Sequence, residues 1–421
     1  MKCVSTRGKA PAVSLREAVI AGIAPDGGLY VPESIERKPE SWWKALRGKS
    51  FQDVAIAVMN ELAGDEFDRE TIASLVRDAL NFPVRVVELE KGLGVLELFH
   101  GPTFAFKDFG ARMLAQIVTK LNAGGPPITI LVATSGDTGS AVAHAFFNLP
   151  NTRVVVLYPE GQVSAVQEAQ FATLGGNVTA VAVAGTFDDC QRLTKEAFVD
   201  PRLSSRVRLT SANSISLGRL LPQTFYYAYA SLQYEHHSPL RVSVPSGNVG
   251  NLVAGVMAWK LGAPINQFAA PTTINDTLPR YLASGRVEPR SSVSTMANAM
   301  DVGDPSNLER LLWLFGNDVD AVRKMVVSEP HRDDDVKRSI STLYEKYAYI
   351  ADPHSAIGYR GCAKSTNCLF LATAHPAKFR EAVEPLIGKP VPMPDALAAT
   401  LARKKQVQRI SPVLAELSAL L

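Results

Sequence analysis

The chain has 421 residues, which allows two or three domains at a typical size of about 150 residues each. Apolar residues make up 46% of the chain and charged residues 20%, a composition typical of a globular protein rather than a disordered or fibrous one. The 44 basic and 41 acidic residues leave a net charge of +3 and form no basic block, which argues against an extended nucleic-acid or membrane-surface interface.

The first 90 residues are predicted to be mostly helical. Ser14 and Glu17 have the spacing of a capping box, which predicts the start of a short helix. Apolar residues then recur with helical spacing at 51–63 and 68–80, and these stretches predict two longer helices. No pattern in this region resembles an active site.

From about residue 94, short apolar runs alternate with helical stretches. The apolar runs lie at 128–133, 154–158, 179–183, 240–244, 267–270 and 368–372. Continuous apolar runs separated by helices are typical of parallel strands that are covered on both faces. We therefore predict an α/β fold with one or two open, mostly parallel sheets flanked by helices, and with ligands at the carboxyl ends of the strands. The last stretch, 395–421, is predicted to form one or two amphipathic helices.

The first motif with chemical potential is His-Gly-Pro-Thr-Phe-Ala-Phe-Lys-Asp-Phe-Gly at 100–110. Pro102 ends the preceding strand, and the apolar spacing after Lys107 predicts a helix that begins near this lysine. A helix N-terminus and apolar neighbours both disfavour an ammonium group, so Lys107 is a candidate neutral nucleophile. The alternative is an ordinary surface lysine in a first helical turn.

Two turns rich in small residues each follow a predicted strand and precede a predicted helix. Thr-Ser-Gly-Asp-Thr-Gly-Ser occupies 134–140, and Pro-Ser-Gly-Asn-Val-Gly-Asn occupies 245–251. Backbone amides and hydroxyls at a helix N-terminus favour an anion such as a carboxylate or a phosphate. Each turn alone has an alternative as a capping turn or a tight connection, and the presence of two strengthens the anion-site interpretation. Neither matches a nucleotide-binding motif.

Two further segments present polar groups. The segment Ser-Ala-Asn-Ser-Ile-Ser-Leu-Gly-Arg at 211–219 ends in Arg219, whose guanidinium can pair with a phosphate or serve as an ordinary ion-pair partner. The last predicted strand leads into Leu-Ala-Thr-Ala-His-Pro at 371–376, which places Thr373 and His375 at a carboxyl edge. A capped strand-to-helix turn is the alternative for that segment.

The cysteines and histidines exclude some classes of site. The four cysteines, at positions 3, 190, 362 and 368, are too few and too scattered for a disulfide framework, which favours a reducing compartment. No metal-ligand spacing such as CxxC or HxxxH occurs, so no metal site is predicted. The start of the chain has no secretory apolar region, and no apolar run approaches the ~18 residues that span a bilayer. We therefore expect a cytoplasmic protein.

Taken in this order, the motifs resemble those of the threonine synthase family. The segments that carry the resemblance are HGPTFAFKDFG (100–110), TSGDTGSAVAHAF (134–146), the Asn-Ser…Arg segment (213–219), VPSGNVGN (244–251), ANAMDVGDPSN (297–307) and TAHPAKF (373–379). The segment PDGGLY (25–30) is similar to the N-terminal domain of that family. The combination is specific, although each piece alone is not.

The resemblance implies a fold and a reaction. The fold is that of the tryptophan-synthase-like, fold-type II pyridoxal-phosphate enzymes: a helical N-terminal domain over 1–90, a catalytic core over 91–394 with a small subdomain at roughly 112–222, and a C-terminal helical segment over 395–421. The reaction is that of a carbon–oxygen lyase, which converts O-phospho-L-homoserine and water to L-threonine and phosphate by γ-elimination and β-addition of water. A monomer or homodimer without a nucleic-acid or membrane partner is expected.

The resemblance also implies residue roles. Lys107 carries pyridoxal phosphate and then moves protons at the α and β carbons of the substrate. The cofactor contacts implied are Lys107, Asp137, Gly247, Asn248, Val249, Gly250, Asn251 and Thr373. The substrate contacts implied are Thr134, Ser135, Thr138, Asn213, Ser214 and Arg219, the last three at the substrate's phosphate.

Two questions stay open in the sequence. Asp137 lies among groups that contact anionic oxygens, where a carboxylate is repelled unless it is protonated or hydrogen-bonded. The function also has two alternatives: a pyridoxal-phosphate-dependent phospholyase that gives α-ketobutyrate or a related elimination product, and a non-catalytic paralogue that binds the cofactor. Lys107 and the two anion-binding turns argue against a non-catalytic paralogue.

Overall fold

The structure is a computed structural model and describes residues 1–234, 239–363 and 365–421. The strands of the described residues are β1 (Lys2–Ser5), β2 (Val13–Ser14), β3 (Tyr30–Pro32), β4 (Arg85–Glu90), β5 (Leu93–Glu97), β6 (Ile128–Ala133), β7 (Thr152–Pro159), β8 (Val178–Val183), β9 (Leu209–Ser211), β10 (Arg241–Ser243), β11 (Gln267–Ala269), β12 (Val326–Val327), β13 (Cys368–Ala372) and β14 (Val407–Ile410).

Helices connect and cover these strands. They are α1 (Leu15–Ala21), α2 (Glu40–Leu46), α3 (Phe51–Ala63), α4 (Arg69–Ala79), α5 (Lys107–Leu121), α6 (Asp137–Phe146), α7 (Ala165–Ala172), α8 (Phe187–Val199), α9 (Pro201–Ser204), α10 (Leu217–Leu220), α11 (Thr224–Gln233), α12 (Gly250–Leu261), α13 (Thr277–Ser284), α14 (Leu308–Leu314), α15 (Val319–Met325), α16 (Asp333–Tyr347), α17 (Pro353–Arg360), α18 (Arg380–Ile387), α19 (Asp395–Leu401) and α20 (Leu414–Leu420). Short 3-10 turns lie at Leu221–Gln223, Asn298–Met300 and Pro376–Phe379.

The N-terminal region combines helices with a small antiparallel sheet. Strand β1 lies between β2 and β3. Helix α1 begins at Ser14 with the predicted capping box, and α3 and α4 lie where helices were predicted. The expectation of a mostly helical region is wrong for the three strands. Each strand has only two to four residues, which is too short for an alternating pattern to be recognised.

The larger sheet has six strands in the order β12-β11-β10-β13-β5-β4. All neighbouring pairs are parallel except β4 and β5, which form an antiparallel pair at one edge. Strand β13 is central, with Leu369 opposite Val242 of β10 and opposite Gly94 of β5. All five residues of β13 are buried, as expected for a strand covered by helices on both faces.

The smaller sheet has five parallel strands in the order β14-β8-β7-β6-β9. Strands β6, β7 and β8 lie where the apolar runs predicted them, and most of their residues are buried. Both sheets are therefore open, mostly parallel and flanked by helices. The predicted fold class is confirmed.

The C-terminal stretch differs from its prediction in one element. Helices α19 and α20 are present, but between them β14 pairs in parallel with β8, with Val407 opposite Ala180 and Ile410 opposite Val183. The expectation of only helices over 395–421 is wrong here. Two of the four residues of β14 are exposed, so this edge strand lacks the continuous apolar run that identified the central strands.

The cysteines also differ from their prediction. Cys362 and Cys368 form a disulfide bond between the segment after α17 and the start of β13. Cys3 and Cys190 are free and buried. The sequence predicted no disulfide framework, and it did not predict this one pair, whose members are 6 positions apart in the chain. Within the described residues, no helix combines the length and the apolar character needed to cross a bilayer.

The strand order places the connections after β5, β6, β10 and β13 at one edge of each sheet. Helix α5 follows β5, α6 follows β6, α12 follows β10, and the Pro376–Phe379 turn follows β13. Each of these connections begins at the carboxyl end of a parallel strand, where open α/β sheets bind their ligands. The two sheets thus present their loops to a common cleft.

Candidate active site

A cavity of about 840 Å³ lies between the two sheets at the carboxyl ends of their strands. All fourteen residues that the sequence selected line it: Lys107, Thr134, Ser135, Asp137, Thr138, Asn213, Ser214, Arg219, Gly247, Asn248, Val249, Gly250, Asn251 and Thr373. The N-terminal region lines it as well, through Arg7, Gly27 and Leu29. The sequence of this region contained no pattern that resembles an active site, so these lining residues were not predicted.

Lys107 is the first residue of α5 and faces the cavity. Surrounding protein disfavours the charged amine and lowers the pKa of Lys107 to about 8, with Arg219 and Lys378 acting in the same direction and Asp137 in the opposite one. The positive end of the α5 dipole also disfavours the ammonium. A substantial fraction of this amine is therefore neutral near pH 8, as a nucleophilic lysine requires.

Asp137 is buried at the start of α6 and carries its own counter-charge. Its Oδ1 accepts hydrogen bonds from Lys378 Nζ at 2.6 Å and from Gln167 Nε2 at 2.9 Å. Burial raises the pKa of Asp137, but the charges of Lys378 and Lys107 and these hydrogen bonds outweigh it and hold the pKa at about 2. Of the two alternatives in the sequence, the structure selects the ionised, hydrogen-bonded carboxylate.

The turn at 246–250 wraps the start of α12. Val249 has φ of +62°, a conformation that costs a β-branched residue free energy and is found mostly at functional sites. Gly247 lies against the backbone of Met300, so an added Cβ would come within 2.6 Å of the Met300 Cα. Asn248 Nδ2 donates to Ser214 Oγ at 2.6 Å, which ties this turn to the 213–216 segment.

Several buried polar atoms of cavity residues have no hydrogen-bond partner among the residues that the structure describes. They include Asn251 Nδ2 and Arg219 Nε. The opposite end of the Asn251 amide is fully used, because its Oδ1 accepts from Tyr226 and Tyr227. Buried donors normally find partners. Unused donors beside a glycine-containing helix N-terminus fit a phosphorylated cofactor and an anionic substrate.

Thr373 lies directly after β13 and is held from both sides. Its carbonyl accepts a hydrogen bond from the Phe106 N–H at 2.8 Å, and its own N–H donates to Ser355 Oγ at 3.2 Å. Ser355 in turn donates to the buried carboxylate of Asp352, which also accepts from His354 Nδ1 at 2.6 Å. The segment before Lys107 and the Thr373 edge are therefore fixed relative to each other.

His354 connects that network to the Asn298–Met300 turn. Its Nε2 accepts a hydrogen bond from the Ala299 N–H at 3.2 Å, and its Nδ1 is held by Asp352, so both ring nitrogens are used within the protein. The same turn places the Met300 backbone against Gly247. This histidine thus supports one wall of the cavity rather than presenting an acid to it.

Among the described residues, two buried cationic residues near the site were not selected from the sequence. Lys378 belongs to the segment that resembled a family motif, but its spacing did not reveal that its long side chain contacts Asp137. Arg310 lies outside those segments. Both are almost fully buried, at 1% and 0% exposure, and a buried charge without a functional context is costly. No signal in the sequence distinguishes Arg310 from a surface arginine on an amphipathic helix.

Arg310 donates hydrogen bonds to three separate segments of the chain. Its guanidinium donates to the carbonyls of Tyr30, Ser214 and Ile215 and to Asn307 Oδ1. Burial lowers the pKa of Arg310 to about 9, which leaves it charged at pH 7. The carbonyls of Ser214 and Ile215 belong to the segment with the selected substrate contacts, so Arg310 orients that segment from behind.

Replacing Arg310 by methionine is expected to lower the free energy of unfolding by about 2 kcal/mol, because the freed carbonyls stay buried without donors. The Michaelis constant for the substrate should rise as the 213–216 segment loosens. Urea unfolding and steady-state kinetics measure the two effects. The exposed Arg286 provides a matched control, since Arg286→Met should change neither quantity. Equal results for the two variants would contradict the role assigned to Arg310.

Family models match the chain almost from end to end. The model described as "Threonine synthase N terminus" matches residues 2–80, "Pyridoxal-phosphate dependent enzyme" matches 84–372, and "Threonine synthase, C-terminal" matches 355–420. Among curated relatives, threonine synthase from Escherichia coli (strain K12) is 42% identical, with 94% of each chain covered. Threonine synthase from Serratia marcescens is 43% identical with the same coverage.

Solved structures give the same result. The crystal structure of threonine synthase from Escherichia coli has a TM-score of 0.94 and 40% identity, covering 100% of this chain and 99% of that one. The structure of PLP-bound threonine synthase from Brucella melitensis has a TM-score of 0.94 and 36% identity, covering 100% and 98%. Threonine deaminase isoform 2 from Solanum lycopersicum, at 16% identity and a TM-score of 0.56, shares the fold alone.

Proposed function

The chain belongs to the threonine synthase family, and on that premise we propose that the cavity converts O-phospho-L-homoserine and water to L-threonine and phosphate, with Lys107 as its central residue. The enzyme is a pyridoxal-phosphate-dependent lyase that acts on a carbon–oxygen bond. The observation that carries the proposed site is a partly neutral lysine amine within one cavity that also contains two helix N-termini suited to anions.

The residues at the cavity fit the cofactor. In the proposal, Lys107 attaches it, the backbone of the 247–251 turn at the start of α12 receives its phosphate, and Asn251 Nδ2 supplies a further donor. Thr373 offers a neutral hydroxyl to the pyridine nitrogen, and Asp137 lies at the ring's oxygen side with Lys378 balancing its charge. When bound, pyridoxal phosphate supplies the electron sink for the bond changes at the substrate.

The other selected residues take the substrate. Thr134, Ser135 and Thr138 surround the start of α6, where hydroxyls and backbone amides suit the substrate carboxylate. Asn213, Ser214 and Arg219 line the same cavity, and Arg219 remains charged because burial lowers its pKa only to about 10. Arg219 therefore stabilises the negative charge of the phosphate as it leaves the γ carbon.

Lys107 is the proton carrier of the reaction in this proposal. Once the substrate occupies the cavity, the neutral amine accepts a proton from the α carbon and passes protons to and from the β carbon. The weakly basic amine suits both directions of transfer, since its pKa lies close to the working pH.

The sequence-based expectations about organisation form part of the same proposal. We divide the chain into 1–90, 91–394 and 395–421, with the smaller sheet belonging to the small subdomain at roughly 112–222 together with β14. In this proposal the protein is a monomer or homodimer in a cytoplasmic setting. The low net charge of +3 and the lack of a basic block support the absence of a nucleic-acid partner.

Product analysis tests the function directly. With O-phospho-L-homoserine the purified protein is expected to release L-threonine and phosphate in equal amounts, as measured by amino-acid analysis and a phosphate assay. Release of phosphate with α-ketobutyrate would instead identify a phospholyase. Retention of the cofactor without release of phosphate would identify a non-catalytic paralogue. A boiled sample and a sample without substrate are the controls.

A further inference from the structure

Lys378 is a buried lysine beside the cavity. It lies in the Pro376–Phe379 turn directly after β13, and only 1% of the residue is exposed. Most lysines keep their ammonium group in water. Burying an unpaired ammonium costs roughly several kcal/mol, and a paired one costs less. Its burial therefore depends on the groups that pair with its ammonium.

Its contacts join the two sheets. Lys378 Nζ donates to Asp137 Oδ1 at 2.6 Å and to the Thr103 carbonyl at 2.9 Å. The first partner starts α6 next to the smaller sheet, and the second belongs to the loop that leads into α5. Gln170 Nε2 also donates to the Thr103 carbonyl, at 3.0 Å. The ammonium is thus held in one place by groups from both halves of the cleft.

The charges that face Lys107 come from three elements. Arg219 of α10 and Lys378 lower the pKa of Lys107 in addition to burial, whereas Asp137 of α6 raises it. A second buried carboxylate, Asp108 of α5, lies nearby; burial raises its pKa to about 6, and it accepts both of its hydrogen bonds from Thr103. Asp137 is the ionised carboxylate that could hold Lys107 as an ammonium.

We propose that Lys378 is a positioning residue for the Lys107 amine: by pairing with Asp137, its ammonium prevents that carboxylate from retaining a proton on Lys107. The pairing separates two roles that would otherwise conflict, since Asp137 stays ionised at the cofactor's ring while the neighbouring amine stays partly neutral. Lys378 touches neither the substrate nor the reacting atoms in this account. The relevance of this inference to catalysis rests on the proposed function.

Competitive labelling of the full chain, freed of cofactor, measures the protonation of Lys107. Trace acetic anhydride acetylates only neutral amines, and peptide mass spectrometry gives the extent at Lys107 across pH 6 to 10, with the exposed Lys120 of the same helix as the internal standard. In Lys378→Met, the unpaired Asp137 should leave about tenfold less neutral Lys107 at pH 7, equivalent to one pKa unit.

The double variant Asp137→Asn/Lys378→Met separates charge from packing. Because this variant lacks the Asp137 carboxylate, nothing at that position retains a proton on Lys107. The neutral fraction of Lys107 at pH 7 should therefore return to within about threefold of the parent value, a difference of less than half a pKa unit. Asp137→Asn alone should increase neutral Lys107, which provides the opposite sign even if Lys378→Met fails to fold. Unchanged labelling in Lys378→Met, or no recovery in the double variant, would overturn the proposal. The labelling contains no cofactor or substrate, so its result does not depend on the outcome of the product analysis.

Discussion

Replacing Lys107 by alanine is expected to abolish covalent attachment of pyridoxal phosphate and to lower kcat by about 10⁴-fold, since the variant loses both the nucleophile and the proton carrier. In the parent protein, the amine faces the cavity at the start of α5 and has its pKa lowered to about 8, so it reacts readily with an aldehyde. Reduction with borohydride, proteolysis and peptide mapping should place the pyridoxyl group on the 100–110 segment in the parent and nowhere in the variant.

A matched control lies on the same helix. Lys120 is exposed in the last turn of α5, far along the helix from the cavity, so Lys120→Ala should retain the cofactor and full activity. A pyridoxyl group found on another lysine in the parent protein would refute the assignment of Lys107. The buried Lys378 is the informative competitor in that case, because its ammonium is paired with Asp137 and should not react.

The sequence predicted the strands and helices around the cavity well where their pattern is local. Each of the turns at 134–140 and 245–251 lies between an apolar strand and a helix, and that order alone places both at carboxyl edges. Lys107 was placed at a helix start from the spacing of the apolar residues that follow it. Those elements depend on neighbours within about ten residues, so their pattern is visible in the chain itself.

The features that the sequence did not predict depend on contacts between distant residues. The pairing of Asp137 with Lys378 spans 241 positions, and it decided between the protonated and the ionised carboxylate. Likewise, β14 is recognisable as a strand only because β8 offers an edge to pair with. A buried charge such as Arg310 is also specified by its distant acceptors, the carbonyls of Tyr30 and Ile215, rather than by its own helix.

Backbone strain near the cavity is a feature that the sequence did not predict. Phe104 and Val249 both adopt positive φ values, +58° and +62°, and each lies in a loop that lines or leads into the cavity. Such conformations cost on the order of 1–3 kcal/mol each and persist only where surrounding contacts hold them. Val249 is only 3% exposed, so neighbouring residues surround it and hold this conformation. The surrounding contacts therefore hold the 246–250 turn in this strained shape.

The second large effect is expected at Arg219. Arg219→Ala should lower kcat/KM for O-phospho-L-homoserine by about 100-fold, because a hydrogen bond to a charged group contributes roughly 1.5–3 kcal/mol. Arg219 is 2% exposed, its Nη1 donates to the Ala212 carbonyl at 2.7 Å, and its buried Nε has no partner among the described residues. The proposal assigns that donor to the substrate's phosphate. Cofactor retention should change little, because the proposal assigns the cofactor's phosphate to the 247–251 turn instead.

The pH profile of this variant gives an independent check. Arg219 is one of the charges that lower the pKa of Lys107, so its loss should raise that pKa and move the rise in activity to higher pH. Arg206→Ala is the control, since Arg206 is exposed on the surface and should affect neither kinetics nor the profile. Cofactor affinity by equilibrium dialysis completes the measurement. If cofactor affinity and kcat/KM fell by the same factor, the result would show that Arg219 binds the cofactor's phosphate instead. Activity would then fall only because less cofactor is bound.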